Sequence, residues 1–342
     1  MKRFFFAALA CAFAGSVLFS CSGNGEGTND SAKVDTTLPK PLRDLNAKLR
    51  SDPNNLDLYH ERAKYFIEKK QFKEAEADIR RIFSVDSSKS PHLMTAADLY
   101  FFMNRSGRAK QLLERVMALD PKNTEARQRL AQLYIYTDQF QPALNQLDTL
   151  LMQNENNAQA YFMKGMVFKL TKDTAKAISS MQTAVEQDPE YYNAYIQLGL
   201  LHAAKHSRLA VEYYMNALRI QPQSTEAMYS LGKFYQDEGE YNLALETYTA
   251  LLKADPNHYD THFNLGAIHA KLKKYDQAIT YFSQAIQIDD RQPRGYYGRG
   301  YSYEMSGDIA RATEDYRFAL GIDPNYEDAR ISLNRVLGGG KK

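Results

Sequence analysis

Two histidines, His202 and His206, stand four residues apart, a spacing that on one helix face offers a metal two ligands. No third ligand accompanies them. His202 falls where other stretches of the chain carry an aromatic residue, and His262 and His269 occupy similar framework positions, so all three read as packed core residues. No G-x-S-x-G, phosphate loop or H-E-x-x-H is present, and the two cysteines, Cys11 and Cys21, both lie in the first 21 residues. The acidic pairs Asp289-Asp290 and Glu314-Asp315 read as solvated charges or helix-end punctuation. Neither a metal nor a cofactor is implied, and no enzyme class has residues to carry it.

Bulk charge narrows the partners further. Lysine and arginine total 43 against 41 acidic residues, and loss of the first twenty residues would remove Lys2 and Arg3 and bring the two into balance. A neutral body lacks the electrostatic case for nucleic acid. The chemistry left to the chain is non-covalent recognition by side-chain surfaces.

Membrane attachment is the other expected activity. Met1-Lys2-Arg3 precedes the apolar run Phe4–Phe19, which is short for a membrane span and suits a signal-peptide core. The run ends in Leu18-Phe19-Ser20-Cys21, which resembles the bacterial lipobox, with Phe19 bulkier than the usual occupant. That resemblance implies a cleaved signal at 1–20, acyl chains such as palmitate on Cys21, and stable anchoring by two or three chains. The alternative is an ordinary secretory signal in which Cys21 is incidental. Ser22, where Asp would retain such proteins in the inner membrane, favours the outer membrane and leaves periplasmic face and cell surface open. Residues 21–40 are rich in Gly, Ser, Asn, Asp and Thr and read as a flexible tether, with a root-mean-square reach of roughly 25 Å.

The body must position whatever surface does the recognising, and its organisation is periodic. In Thr225–His258 stand Leu231-Gly232, Tyr235, Ala244, Tyr248 and Pro256. Small residues at Gly232 and Ala244 let two helices approach, larger ones fill the space around them, and Pro256 ends the second helix. The frame recurs near 56–89, 90–123, 124–157, 158–191, 192–224, 225–258, 259–292 and 293–326, a period of 34 residues with one step of 33. The small pairs are Ala63/Ala75, Ala97/Ala109, Ala131/Ala143, Gly165/Ala177, Gly199/Ala210, Gly232/Ala244, Gly266/Ala278 and Gly300/Ala312. The missing residue of the fifth repeat falls near Ala204–Arg208, in a turn. Pro91, Pro142 and Pro293 each fall in the first turn of a helix. A half-repeat at 41–55, a capping helix at 327–337 with polar Arg330 and Asn334, and a loose tail at 338–342 complete the plan, with 41–337 as the body.

This pattern resembles the tetratricopeptide repeat, with no Trp at the first large position and Arg127 the poorest occupant there. The resemblance implies an all-α solenoid of about eight helix-turn-helix repeats, wound as a right-handed superhelix with the first helix of each repeat lining a concave groove. Projected onto that frame, the groove carries Phe162, Met163, Met166, Ile196, Leu200, Tyr229, Phe263, Tyr297 and Tyr301. Repeats one to three present His60, Lys64, Asp98, Gln128, Arg129 and Gln132, with Met94, Phe101 and Tyr136 among them. An apolar strip flanked by polar residues suits a peptide or an amphipathic helix; packing of the same rings against the neighbouring repeat is the alternative. Some chaperone-binding members clamp a terminal carboxylate with Lys, Asn and Arg on successive first helices, and Lys233, Asn264 and Arg294 match that arrangement in part.

The expected function is therefore that of a lipid-anchored scaffold or adaptor of the bacterial envelope, binding a protein segment. The resemblance extends to lipoproteins that assist secretion, pilus assembly or peptidoglycan remodelling, an analogy of architecture rather than of residues. Self-assembly into a structural lipoprotein is the second expectation. A small-molecule or enzymatic site in the groove is a remote third.

Overall fold

The computed structural model describes residues 37–338. The expected signal peptide, the expected lipidation site Cys21, nearly all of the expected tether and residues 339–342 lie outside the described residues. The chain divides into two compact units, Met1–Val85 and Asp86–Lys342. The first contains α1 (Lys40–Ser51), α2 (Leu56–Glu68) and α3 (Phe72–Val85). The second opens with α4 (Ser90–Phe102), α5 (Ser106–Leu119), α6 (Thr124–Tyr136), α7 (Phe140–Gln153), α8 (Ala158–Leu170), α9 (Thr174–Gln187), α10 (Tyr192–Ala203) and α11 (Leu209–Ile220). It continues with α12 (Thr225–Asp237), α13 (Tyr241–Ala254), α14 (Tyr259–Lys271), α15 (Tyr275–Ile288), α16 (Pro293–Ser306), α17 (Ile309–Ile322) and α18 (Glu327–Leu337). Among the described residues there is no strand, and no helix is long and apolar enough to cross a membrane.

The fold is an all-α helical-repeat solenoid, and its punctuation follows from side-chain chemistry. At the ends of the second helices other than α11, an acidic or amide side chain turns the chain by accepting the backbone N–H two residues on. Asp120 takes Lys122 N at 3.1 Å, Asp188 takes Glu190 N at 3.0 Å, and Asp255 takes Asn257 N at 3.1 Å. The next first helix is then capped by a side chain such as Asn123, Asn157 or Ser224, each accepting an N–H three residues on. Pro91, Pro142 and Pro293 all sit in first turns, where the absent N–H removes no helical bond.

The turn inside each repeat uses a left-handed residue. Lys70, Asn104, Asp138, Lys172, His206 and Lys273 take positive φ there, as do Gly239 and Gly307. The shortened fifth repeat has α10 and α11 of 12 residues each, with 204–208 between them.

The core repeats with the sequence. Ala and Gly at the small positions are buried, and the side chains sixteen residues on (fifteen in the short repeat) fill the space beside them. Ile79, Leu113, Leu147, Met181, Tyr214, Tyr248, Phe282 and Tyr316 are each no more than 3% exposed. Arg127 on α6 donates to Gln146 Oε1 on α7 at 2.8 Å and to the Pro121 carbonyl in the preceding loop at 2.7 Å, so its planar head ties the helix pair to the incoming turn.

Asp315 corrects the reading of its acidic pair as solvated. It is 3% exposed and receives both Arg299 Nε and Nη2 at 2.8 Å, while Arg299 also reaches Ser283 on α15 at 3.2 Å. Burial pushes its carboxyl above the ordinary value despite Arg299. In the first unit Arg62 makes the same arrangement with Asp78 and with Asn46 on α1.

Candidate functional site

The histidine pair does not form a metal site. His206 lies beyond the end of α10 in the left-handed turn, and its Nδ1 is 2.7 Å from Glu238 Oε1. His202 stays inside, against the Tyr213 ring at 5.2 Å, with burial and then Lys205 lowering its pKa. The left-handed turn that every repeat makes seven residues after its small position separates the two side chains that a continued helix would have aligned. His262 and His269 are each 7% exposed and pack beside Tyr281 at 6.3 and 5.3 Å.

The residues projected onto the groove separate into interior and surface. Met163, Met166 and Ile196 are 8%, 5% and 2% exposed. Met166 packs with Met181 and Leu198, and Ile196 belongs to a cluster with Tyr214 and Leu231. Met166 and Ile196 thus close contacts between neighbouring repeats, and all three side chains are buried.

Several rings are occupied with one another. Phe162 is half-buried and meets the Tyr191 ring edge-on at 5.0 Å; burial pushes the Tyr191 hydroxyl up to about 12. Phe263 packs edge-on to Phe282 at 5.5 Å, Tyr229 lies 5.4 Å from His258, and Tyr297 meets Tyr326 at 5.4 Å. Tyr301 is half-buried on α16, and Leu200 is 38% exposed.

The three residues matched to a carboxylate clamp are all engaged. Lys233 is paired with Asp237 one turn on. Asn264, 7% exposed, donates its amide to the hydroxyls of Tyr248 at 3.0 Å and Tyr229 at 3.4 Å. Arg294 is paired with Asp260 and lies over the Tyr259 and Phe263 rings at 4.8 and 4.7 Å. A carboxylate arriving here would have to displace bonds already made.

An open apolar row instead runs along the C-terminal ends of the first helices. Phe102, Tyr136 and Leu170 are the last residues of α4, α6 and α8, stand in one 34-residue register, and are 49%, 48% and 47% exposed. Phe101 meets the Tyr136 ring at 5.1 Å, and the Tyr136 hydroxyl donates to Asn104 at 3.1 Å, so α4 and α6 are joined at this edge. At α10 the register position passes to Ala204, and Leu200, one helical turn earlier, is the exposed apolar residue there. Helix packing sets neighbouring members roughly 10 Å apart. Phe102 and Leu170 were absent from the sequence reading, which stopped one residue short at Phe101; comparing the last helical residue of successive repeats would have found them.

Comparison with known proteins agrees with this architecture. Tetratricopeptide-repeat models match residues 103–164, 229–293, and both 158–191 and 293–326, together more than half of the chain. No curated protein matches the sequence. Among solved structures, the C-terminal part of a TPR repeat-containing protein from Cytophaga hutchinsonii is 21% identical with a TM-score of 0.60, over 70% of this chain and 99% of that one. PilW, a type IV pilus biogenesis factor, is 18% identical at 0.51, over 62% and 99%. A tetratricopeptide repeat protein from Parabacteroides merdae is 17% identical at 0.50, over 72% and 98%. The recurring small-residue contacts, the left-handed turn in every repeat and these matches have one account: the chain belongs to the tetratricopeptide-repeat family.

Proposed function

We propose that the chain is a protein-interaction scaffold whose docking face is the row Tyr136, Leu170 and Leu200 on the first helices α6, α8 and α10. The observation that carries this reading is that three successive first helices, α6, α8 and α10, each leave a large apolar side chain 38–48% exposed towards their C-terminal ends. Apolar surface in a row, bordered by polar residues, binds an extended segment or a helix face in preference to water. Tetratricopeptide repeats as a class act in this way, and no group of His, Cys, Asp and Glu among the described residues could hold a metal.

The attachment belongs to the same proposal. Lipidation of Cys21 would hold the solenoid at a bacterial envelope membrane, the outer one by the Ser22 that follows the cysteine, with residues 22–40 as the tether. Assistance to secretion, pilus or peptidoglycan-remodelling machinery is the class of task such a scaffold performs. The likeness to PilW supports the fold that this task would use.

The test is capture from envelope extract by the full chain, comparing wild type with a Leu170→Asp, Leu200→Asp variant. Both residues are exposed enough to accept charge without unfolding, which circular dichroism would verify. Loss of one captured protein in the variant supports the docking face, and equal capture by both chains rejects it. Mass spectrometry of the membrane-extracted chain tests the anchor, and an unmodified thiol at Cys21 rejects it.

A further inference from the structure

Cations along the first helices of the second unit are mostly neutralised by nearby carboxylates. Arg129 pairs with Asp98 and Glu125, Lys164 with Asp148, Lys233 with Asp237, Arg294 with Asp260 and Arg299 with Asp315. Lys169 differs. It is half-buried at the end of α8, and its Nζ donates to the neutral amide oxygen Oε1 of Gln197 on α10 at 2.5 Å. Burial lowers its pKa, with no neighbouring carboxylate to offset that effect.

The position of this charge matters. Lys169 precedes Leu170, which is 47% exposed, and Gln197 lies one helical turn before Leu200, 38% exposed. The ammonium therefore bridges α8 and α10 on the stretches that carry Leu170 and Leu200. An amide oxygen satisfies one of its three donors and none of its net charge. A carboxylate supplies both, through a charge-assisted bond that gains strength as the surrounding apolar groups exclude water.

We infer that the α8–α10 part of the docking face takes an acidic segment of a partner protein: an internal Asp or Glu received by Lys169, with flanking aliphatic or aromatic residues packed on Leu170 and Leu200. This rests on the docking reading above. The site is separate from the engaged Lys233, Asn264 and Arg294 set. Lysine is a compact point charge without a planar fork, so it accepts a side-chain carboxylate in many orientations. Specificity then comes from the spacing between the acid and its apolar neighbours.

The probe is a set of short synthetic peptides with amidated C-termini, each with a central Asp, Glu, Asn, Gln or Lys between varied Leu, Ile, Phe and Tyr. Binding is measured to the full chain in detergent. Acidic peptides should bind about tenfold tighter than their amide counterparts, a ratio that corresponds to about 1.4 kcal/mol. Lys169→Gln should erase the ratio and Lys169→Arg should keep most of it. Lys169→Met serves as a second neutral variant, with helicity and melting temperature checked for each. Equal binding of acid and amide peptides, or a ratio that survives in both neutral variants, overturns the inference. If that binding is nevertheless lost in Leu170→Asp, the docking face stands without the acidic preference. If no peptide binds at all, both readings fail.

Discussion

Gly232 faces the ring of Tyr248 so closely that a Cβ on the glycine would lie 2.6 Å from Tyr248 Cε1. The pairing is systematic. Where the small position is Ala63, Ala97 or Ala131, the residue sixteen further on is Ile79, Leu113 or Leu147; where it is Gly165, Gly232, Gly266 or Gly300, the partner is Met181, Tyr248, Phe282 or Tyr316. The methyl group and the larger side chain exchange volume at one contact. Gly232→Ala should therefore cost about 1–3 kcal/mol by overpacking. Tyr248→Leu alone should also destabilise, because it opens space and removes the hydroxyl bonded to Gln236 and Asn264. The double variant reproduces the pair already present as Ala131 and Leu147, and urea unfolding should give a favourable coupling of about 1 kcal/mol or more. Additive costs would reject the exchange.

This contact shows what the sequence makes legible. Helix pairing, period and small positions are set by contacts within one repeat, at fixed spacing along the chain. The fate of Met166 and Ile196 is not, because each is covered by the adjoining repeat, where Leu198 and Leu231 close over them. Apolar residues at groove-facing positions look alike in sequence whether they meet solvent or a neighbour. His206 stands seven residues after Gly199, the place where every repeat turns left-handed, so α10 ends before reaching it. The partners that engage the clamp residues, Asp260 and the two tyrosine hydroxyls, are likewise not specified by the repeat frame.

The left-handed turns give a prediction independent of packing. Lys172 and Lys273 hold φ of 65° and 58° with exposed side chains, and Gly239 holds 77° with nothing within 4 Å of an added Cβ. L-residues resist this conformation by steric contact with their own backbone. Lys172→Gly and Lys273→Gly should each raise stability by about 0.5 kcal/mol, the glycine's larger unfolded entropy offsetting part of the gain. Gly239→Ala should lower it by about 1 kcal/mol. Thermal melts of the three variants check the signs. A stabilised Gly239→Ala would refute the argument.

The last helix introduces a pH dependence. Arg335 on α18 donates to both oxygens of Glu304 at 2.7 and 2.8 Å, and the buried Tyr316 hydroxyl donates to Oε2 at 2.6 Å. Burial acts to raise the Glu304 pKa, but the bonds from Arg335 and Tyr316, with the charge of Arg335, outweigh it and hold the carboxyl below its ordinary 4.5. A depressed carboxylate contributes stability that is present above 4.5 and lost as pH falls through the lower folded value. Asp315, raised by burial, acts in the opposite sense, so the informative quantity is the difference between wild type and Glu304→Gln. That difference should be largest at neutral pH and shrink on acidification below 4.5, read by denaturant melts across pH. A difference that stays constant would show that Glu304 acts through shape alone.

Asn264 gives the sharpest contrast between a structural and a binding role. Its amide donates to the Tyr248 and Tyr229 hydroxyls, and Tyr248 is fully buried. Removing the amide leaves a buried hydroxyl with one partner fewer, at a cost of about 1–3 kcal/mol. Asn264→Ala should therefore lower the melting temperature, while the affinities of the acidic peptides change little once measured well below that temperature. A carboxylate clamp predicts the reverse: nearly unchanged stability, and loss of affinity confined to peptides with a free C-terminus. Paired melts and titrations with free and amidated versions of one peptide separate the two. The engaged amide, with Lys233 and Arg294 already held by Asp237 and Asp260, favours the first outcome.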